Sequence, residues 1–391
     1  MSALFALPAF AAAILTAMLL SRLRPPAAPR KWRTLDGLRG IAATAVFLHH
    51  SAIWFAYSKS GNWLPPPTNL YNQLGQGAVS VFFMLTGFLF WAKLRETPEM
   101  DWERLYISRV LRIAPVYAVS MLVLVAVAWL AAGRPLHIGN ATPFLEIASF
   151  ANTPDLFHLR NTFVINAGVA WTLHYEWFFY CMLPFLALAL HRFRGFSVRS
   201  LLYLCFSAAG ALLMWHYYII RIMLLFFVLG IGSYEIGRAT RETRLHRLLE
   251  SWPGTLWIFV MLWLIVSRFH DAYNPRAALL YGAAFLPIAA GNSMFGVLTT
   301  VTLRKLGEIS YSLYLLQGLV LYAFFHASGA TQTLRQHWGL AIPAAILLVC
   351  LGQISFSWVE HPSMHAVERA RSFLRQFAPW RLMFSRPASL S

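Results

Sequence analysis

The chain has 391 residues, 58% of them hydrophobic and only 12% charged, with a formal net charge of +17 and a mean hydropathy of +0.56. A soluble domain carries about a quarter charged residues, so the composition excludes an ordinary soluble fold. Its basic residues are scattered in short clusters between apolar runs, which argues against a nucleic-acid-binding protein.

Apolar runs predict about eleven membrane spans, at 3–21, 38–57, 76–93, 113–132, 168–190, 199–215, 217–236, 253–268, 276–298, 307–327 and 339–358. Each is close to the roughly 20 residues that cross a bilayer as a helix, so the expected fold class is all-α: a polytopic membrane helical bundle. Basic clusters alternate with these runs: Arg30, Lys31 and Arg33 after the first, Lys93 to Arg112 after the third, Arg192, Arg194 and Arg199 after the fifth, Arg238 to Arg247 after the seventh, Arg304 and Lys305 after the ninth, and Arg369, Arg371, Arg375, Arg381 and Arg386 in the tail. The positive-inside rule then puts these clusters and the C-terminus in the cytoplasm and the N-terminus outside. The first run lacks a basic stretch before it and reads as a retained anchor rather than a signal peptide. A longer external segment, 133–167, holds His137, Glu146, Asp155 and His158, and reads equally as a functional loop or a solvated cap. Cys181, Cys205 and Cys350 all sit in apolar segments, which points to neither a disulfide framework nor a metal site.

Several polar residues interrupt these runs where burial makes them expensive. Arg39 and His50 are eleven positions apart, which on a helix returns His50 to within about 20° of Arg39, about 16 Å along the axis. His50 suits a general base, an imidazole titrating near pH 6.5 when unperturbed; equally, it suits a structural contact to a neighbouring helix. His49 points about 100° away. Arg39 reads as a phosphate or positioning group or as a snorkelling arginine, with Asp36 one turn earlier as its expected ion partner. Arg109 and Arg112 share a helix face at the expected cytoplasmic boundary, where two guanidiniums could grip phosphates or simply set topology; Pro115 beyond them suits a helix start. Glu176 lies in an aromatic, apolar run with Tyr180 one turn on as its expected hydrogen-bond partner. Ser310, Tyr311 and Tyr314 offer hydroxyls in a later span, and Arg221 is a further candidate for lining a polar cavity.

Taken in order, these pieces resemble the membrane acyltransferase 3 family. Leu35-Asp36-Gly37-Leu38-Arg39-Gly40 with His50 matches its opening, a basic residue followed after ten positions by histidine. The run from Gly77 to Phe88 is similar to its second signature, Arg109-Val110-Leu111-Arg112-Ile113-Ala114-Pro115 to its Arg-x-x-Arg motif, and Trp171-Thr172-Leu173 with Glu176, Phe179 and Tyr180 to its Trp-Ser/Thr-Leu helix. Gly307 to Tyr314 and Glu360-His361-Pro362 match its last two spans. Two positions depart from the pattern: Ser80 replaces an acidic residue, and Gln317 replaces a histidine, so no second base is assigned there.

The resemblance implies an integral membrane O-acyltransferase of the stand-alone kind, in a bacterial inner membrane. It implies an extra N-terminal helix and linker over 1–30, a ten-span acyltransferase domain over 31–362 and a basic tail over 363–391. His50, Arg39 and Glu176 become the catalytic candidates; Arg109, Arg112 and Tyr311 become contacts to an acyl-CoA donor, acetyl-CoA foremost. The donor is a substrate, with no permanently bound cofactor and no metal. The acceptor would be a hydroxyl of a sugar, glycolipid or polysaccharide. The other partners expected are membrane lipids, with no nucleic acid. The rival reading is a transporter or flippase with His50 and Glu176 as a proton relay.

Overall fold

The computed structural model describes residues 3–27, 31–97, 99–133, 142–148, 153–190, 205, 207–208, 221–326 and 332–376. Among these residues the chain is helical, without a strand. The helices run α1 Leu7–Leu23, α2 Arg33–Ser60, α3 Asn69–Glu96, α4 Trp102–Ala132, α5 Thr142–Ala148, α6 Trp171–Ala189, α7 Arg221–Ala239, α8 Arg244–Glu250, α9 Trp252–Arg268, α10 Pro275–Ala290, α11 Val301–Glu308, α12 Ser310–Phe325, α13 Leu334–Ser355, α14 His361–His365 and α15 Val367–Gln376. All but three residues of the expected span at 199–215, the cluster Arg192, Arg194 and Arg199, His137 of the external segment, and the tail beyond 376 lie outside the described residues.

Four helices, α3, α4, α7 and α13 continued to His365, are each long and apolar enough to cross a membrane. The number becomes six when the bent pairs α8–α9 (65°) and α11–α12 (70°) are each taken as one span. Two shorter apolar helices, α1 and α10, stand beside them. Large apolar side chains such as Leu122 and Leu130 of α4, Trp257 and Trp263 of α9, and Trp358 face outward, as in a multi-pass protein whose solvent is lipid.

At the centre stands α2, packed against α3, α11, α12 and α13. Its run Ala42–His49 is buried without interruption, which only a helix enclosed on every side permits. Close approach rests on glycine. A Cβ on Gly307 would lie 1.8 Å from the Asp36 carbonyl oxygen, and one on Gly37 would lie 1.9 Å from that of Leu298. With no hydrophobic drive between helices in lipid, such backbone contact is what holds a bundle together. The helix α1 packs on α13 and α11 through Ala9, Ala13, Ala17 and Ser21, the same device at a four-residue spacing.

Two local departures from helix geometry shape the interior. At Ile309 the chain turns between α11 and α12; Ser310 Oγ donates to the Gly307 carbonyl (2.9 Å), competing with the continuing helix. After α13 the segment Phe356–Glu360 winds as a π-helix, with the His361 N–H reaching back to the Phe356 carbonyl. Pro362 follows, and a wider turn there relieves the clash a proline makes with the preceding turn.

Pro115 does not start a helix. It lies inside α4, which begins thirteen residues earlier at Trp102, where the Asp101 side chain accepts from the Arg104 N–H (3.0 Å). The neighbouring helices of a membrane bundle tolerate the proline. Described parts of 133–167 fold as a cap. Thr162 ties Leu156 and Leu159 together through its hydroxyl, Asp155 accepts from the Thr162 N–H, and Asn166 closes on Thr153. A Cβ on Gly318 would meet Asn166 at 2.0 Å, so the cap sits directly on α12.

Candidate active site

Five helices, α2, α3, α4, α6 and α12, line a partly open cavity of about 70 Å³. Arg39, Arg112, Glu176 and Tyr311 all line it, joined by Thr172 and Tyr314. The apolar wall is Val79, Phe82 and Phe83 of α3, spaced as one helical face. Two guanidiniums, a carboxylate and hydroxyls thus converge inside an apolar bundle, where electrostatic interactions are stronger than in water.

The polar side chains are held by their own bonds. Tyr180 donates its hydroxyl to Glu176, as the spacing predicted. Tyr311 donates to the Ile113 carbonyl (2.8 Å), tying α12 to α4 and leaving only its oxygen lone pairs for a ligand. Thr172 donates to the Tyr314 hydroxyl (3.0 Å), which donates in turn to the Val169 carbonyl (3.1 Å).

Arg109 and Arg112 part company. Arg112 faces the cavity, with Glu360 at 4.0 Å. Arg109 does not line it: its guanidinium lies over the Phe90 ring, 5.4 Å from the centroid, with Tyr180 and Glu176 beside it. Asp36 makes no ion pair with Arg39; it stands in the first turn of α2, where a carboxylate complements the helix dipole. Arg221 opens α7 exposed and lines neither of the two cavities described here.

His50 stands outside the cavity lining. It lies on the same helix as Arg39, beside Gln317, with Trp63 stacked parallel to it at 6.4 Å. Its buried ring is flanked by the Gln317 side chain and by the Val46 carbonyl of the preceding turn, with no strict hydrogen bond at Nδ1 among the described residues. Gln317 connects it downward: fully buried, it donates from Nε2 to the Tyr314 carbonyl (3.1 Å) one turn nearer the cavity. His49 has a different neighbourhood. Its Nδ1 meets the Tyr71 carbonyl at 2.8 Å, and its ring fills the space that a Cβ on Gly75 would take, 2.2 Å away. His49 is a packing histidine.

Glu360, part of a recognised motif but given no role from sequence, is a central anchor. It is 0% exposed, accepts from Ser312 Oγ (3.1 Å) and feels the charges of both Arg112 and Arg39. A carboxylate at the end of an apolar run is the signal that marks it in the sequence. Ser80 has no such role: it is buried and bonded to the Gln76 carbonyl of its own helix, and its neighbours, not it, line the cavity. Among the described residues no group of His, Cys, Asp and Glu could hold a metal.

The fold and the converging arginines, carboxylate and hydroxyls define an enzyme-like site in a membrane bundle. Residues 32–358 match the family model described as an acyltransferase domain, and the chain belongs to that family. Acyltransferase MdmB of Streptomyces mycarofaciens is 26% identical over 384 residues, covering 86% of this chain and 93% of that protein. No solved structure matches the chain. The protein is an acyltransferase, and the transporter reading gives way.

Proposed function

We propose that the protein is an O-acyltransferase that moves an acyl group, acetyl foremost, from acyl-CoA to a hydroxyl of a sugar, glycolipid or polysaccharide. The observation that carries this reading is the convergence of Arg39, Arg112, Glu176 and Tyr311 on one small cavity of the helix that bears His50. The cavity is small, which favours a short acyl group. Arg112, with Arg109 behind it, stands where the donor would enter from the cytoplasm of a bacterial inner membrane.

His50, beyond the chamber wall, takes the proton on its imidazole from an acceptor hydroxyl that reaches between it and the chamber past Gln317. The acceptor oxygen then attacks the thioester carbonyl, and the oxyanion that forms gains from the cationic side chains lining the cavity. Collapse expels the coenzyme A thiolate, which takes up the proton, so that alcohol and thioester become ester and thiol. The five helices that wall the chamber limit the access of water that would compete with the acceptor. Catalysis by a positioned base contributes typically 10²–10⁴-fold.

The test is thiol release from acetyl-CoA by purified wild type and His50→Ala with candidate sugar acceptors. Acceptor-dependent release is expected from wild type, falling by about 10²-fold or more in a folded His50→Ala variant. Equal release by both would remove His50 from the chemistry.

A further inference from the structure

A second cavity, of about 810 Å³, opens at the basic end of the bundle between the starts of α2 and α8 and the ends of α3, α7 and α10. It is separate from the reaction chamber. On α3 the chamber is lined by Val79, Phe82, Phe83 and Thr86, and this cavity by Phe88, Arg95 and Glu96. Thr86 and Phe88 are two positions apart, hence about 160° apart around the helix, so α3 stands as the wall between them.

Its lining combines charge with aromatic surface. Lys31, Arg33, Arg95, Arg238 and Arg241 face two carboxylates, Glu96 and Glu250, a balance of five to two. Some of this charge is already matched: Lys31 pairs with Glu96 at 2.6 Å and Arg95 with Glu235 at 2.9 Å. Arg33, Arg238 and Arg241 make no ion pair among the described residues. His246 approaches Glu250 through Nε2 at 3.3 Å, while its Nδ1 is buried without a partner. On the inner side Trp32, Phe88 and Tyr234 form an edge-to-face cluster, with ring centroids 4.9 Å and 5.4 Å apart at its two closer contacts.

Topology alone asks only that basic residues lie at one end of the helices. It does not ask that they line a concave site of ligand size with an aromatic wall. Arg244 and Arg247 show the difference: on α8, at the same end and as exposed as Arg33, Arg238 and Arg241, they lie outside the cavity lining. Unmatched guanidiniums beside an apolar surface suit a phosphate that carries an organic group, the guanidinium fork matching phosphate oxygens in pairs.

We infer that this cavity is an organophosphate-binding site, distinct from the reaction chamber. Arg33, Arg238 and Arg241 hold the phosphate, and the aromatic cluster receives the adjoining organic part. The same chemistry is offered by an anionic phospholipid headgroup and by a soluble nucleotide phosphate.

The experiment uses the full chain in phosphatidylcholine nanodiscs with two probes: phosphatidylglycerol, counted by native mass spectrometry, and adenosine 3′,5′-bisphosphate, titrated by calorimetry. Arg238→Ala/Arg241→Ala removes cavity charge; Arg244→Ala/Arg247→Ala removes the same charge from the rim; Arg238→Gln/Arg241→Gln is the alternative should the alanine pair fail to fold. Binding of one probe is expected to weaken by at least about tenfold in the cavity variant and to hold in the rim variant. Loss of phosphatidylglycerol identifies the lipid headgroup as the source, and loss of the bisphosphate identifies a soluble nucleotide. Equal weakening in both variants, or no binding of either probe by wild type, would overturn the inference.

Discussion

Glu360 shows how a single side chain holds the chamber. It is buried and bonded to Ser312, with Arg112 at 4.0 Å and the charge of Arg39 also within reach. Removing one member of a buried charge set leaves the others uncompensated, at about 3–5 kcal/mol. Glu360→Gln is therefore expected to destabilise the protein by about 3 kcal/mol and to raise the KM for acyl-CoA more than it lowers kcat, because Arg112 loses its orientation. Ser312→Ala removes one hydrogen bond and should cost about 1 kcal/mol. Thermal unfolding in detergent and steady-state kinetics read both, and a Glu360→Gln protein with wild-type KM and stability would refute the assignment. At this scale sequence spacing separated His49 from His50 by about 100°, and the structure gives them different neighbours, Tyr71 and Gln317. Spacing within one helix could not bring Glu360 to Arg112, since they meet only through the packing of a π-turn against α4. For the same reason it paired Asp36 with Arg39 wrongly: the nearest charge in sequence is not the nearest in space.

At the level of elements, the chamber depends on how closely α11 and α12 approach α2. Gly307 sits one residue before the end of α11, against the Asp36 carbonyl, three residues from Arg39. A methyl group there has no room, and the obstacle is backbone rather than a flexible side chain. Overpacking of this kind costs typically about 1–3 kcal/mol. Gly307→Ala is expected to lower the midpoint of thermal unfolding and to impair acyl transfer, by pushing α2 and its Arg39 away from α12. Gly339 of α13 provides the contrast, because a Cβ there meets nothing within 4 Å. Gly339→Ala should be neutral or stabilising by up to about 1 kcal/mol, from helix propensity alone. If both variants behave alike in unfolding and in turnover, the seam does not position the site. Hydropathy placed a run at 307–327, which covers α12 and only the last two residues of α11, so neither α11 nor the 70° bend between the two was marked in the periodicity. The bend arises from a serine hydroxyl turned onto its own backbone, a choice that the tertiary environment makes.

For the whole molecule, the helical membrane bundle was legible because its composition leaves no other solution: with 12% charged residues the backbone must satisfy itself within helices. The number of spans was less legible. Against about eleven apolar runs, four helices among the described residues are long and apolar enough to cross, or six with the bent pairs. Part of the difference is physical: the stretch of α2 from Gly40 to Tyr57 carries no Asp, Glu, Lys or Arg, but the adjacent His49 and His50 lower its hydropathy. Orientation is the property on which donor supply turns in the proposed reaction, in which a cytoplasmic acyl-CoA would approach the Arg112 side of the chamber. Asn62, in the turn after α2, and Thr243, before α8, are both exposed and belong to opposite sides in the positive-inside reading. With Cys181, Cys205 and Cys350 replaced by serine, a membrane-impermeant maleimide on intact cells is expected to label Asn62→Cys and to spare Thr243→Cys until the cells are opened. The reverse pattern would place the basic end outside, and the donor would then have to enter from the side of the chamber on which His50 lies.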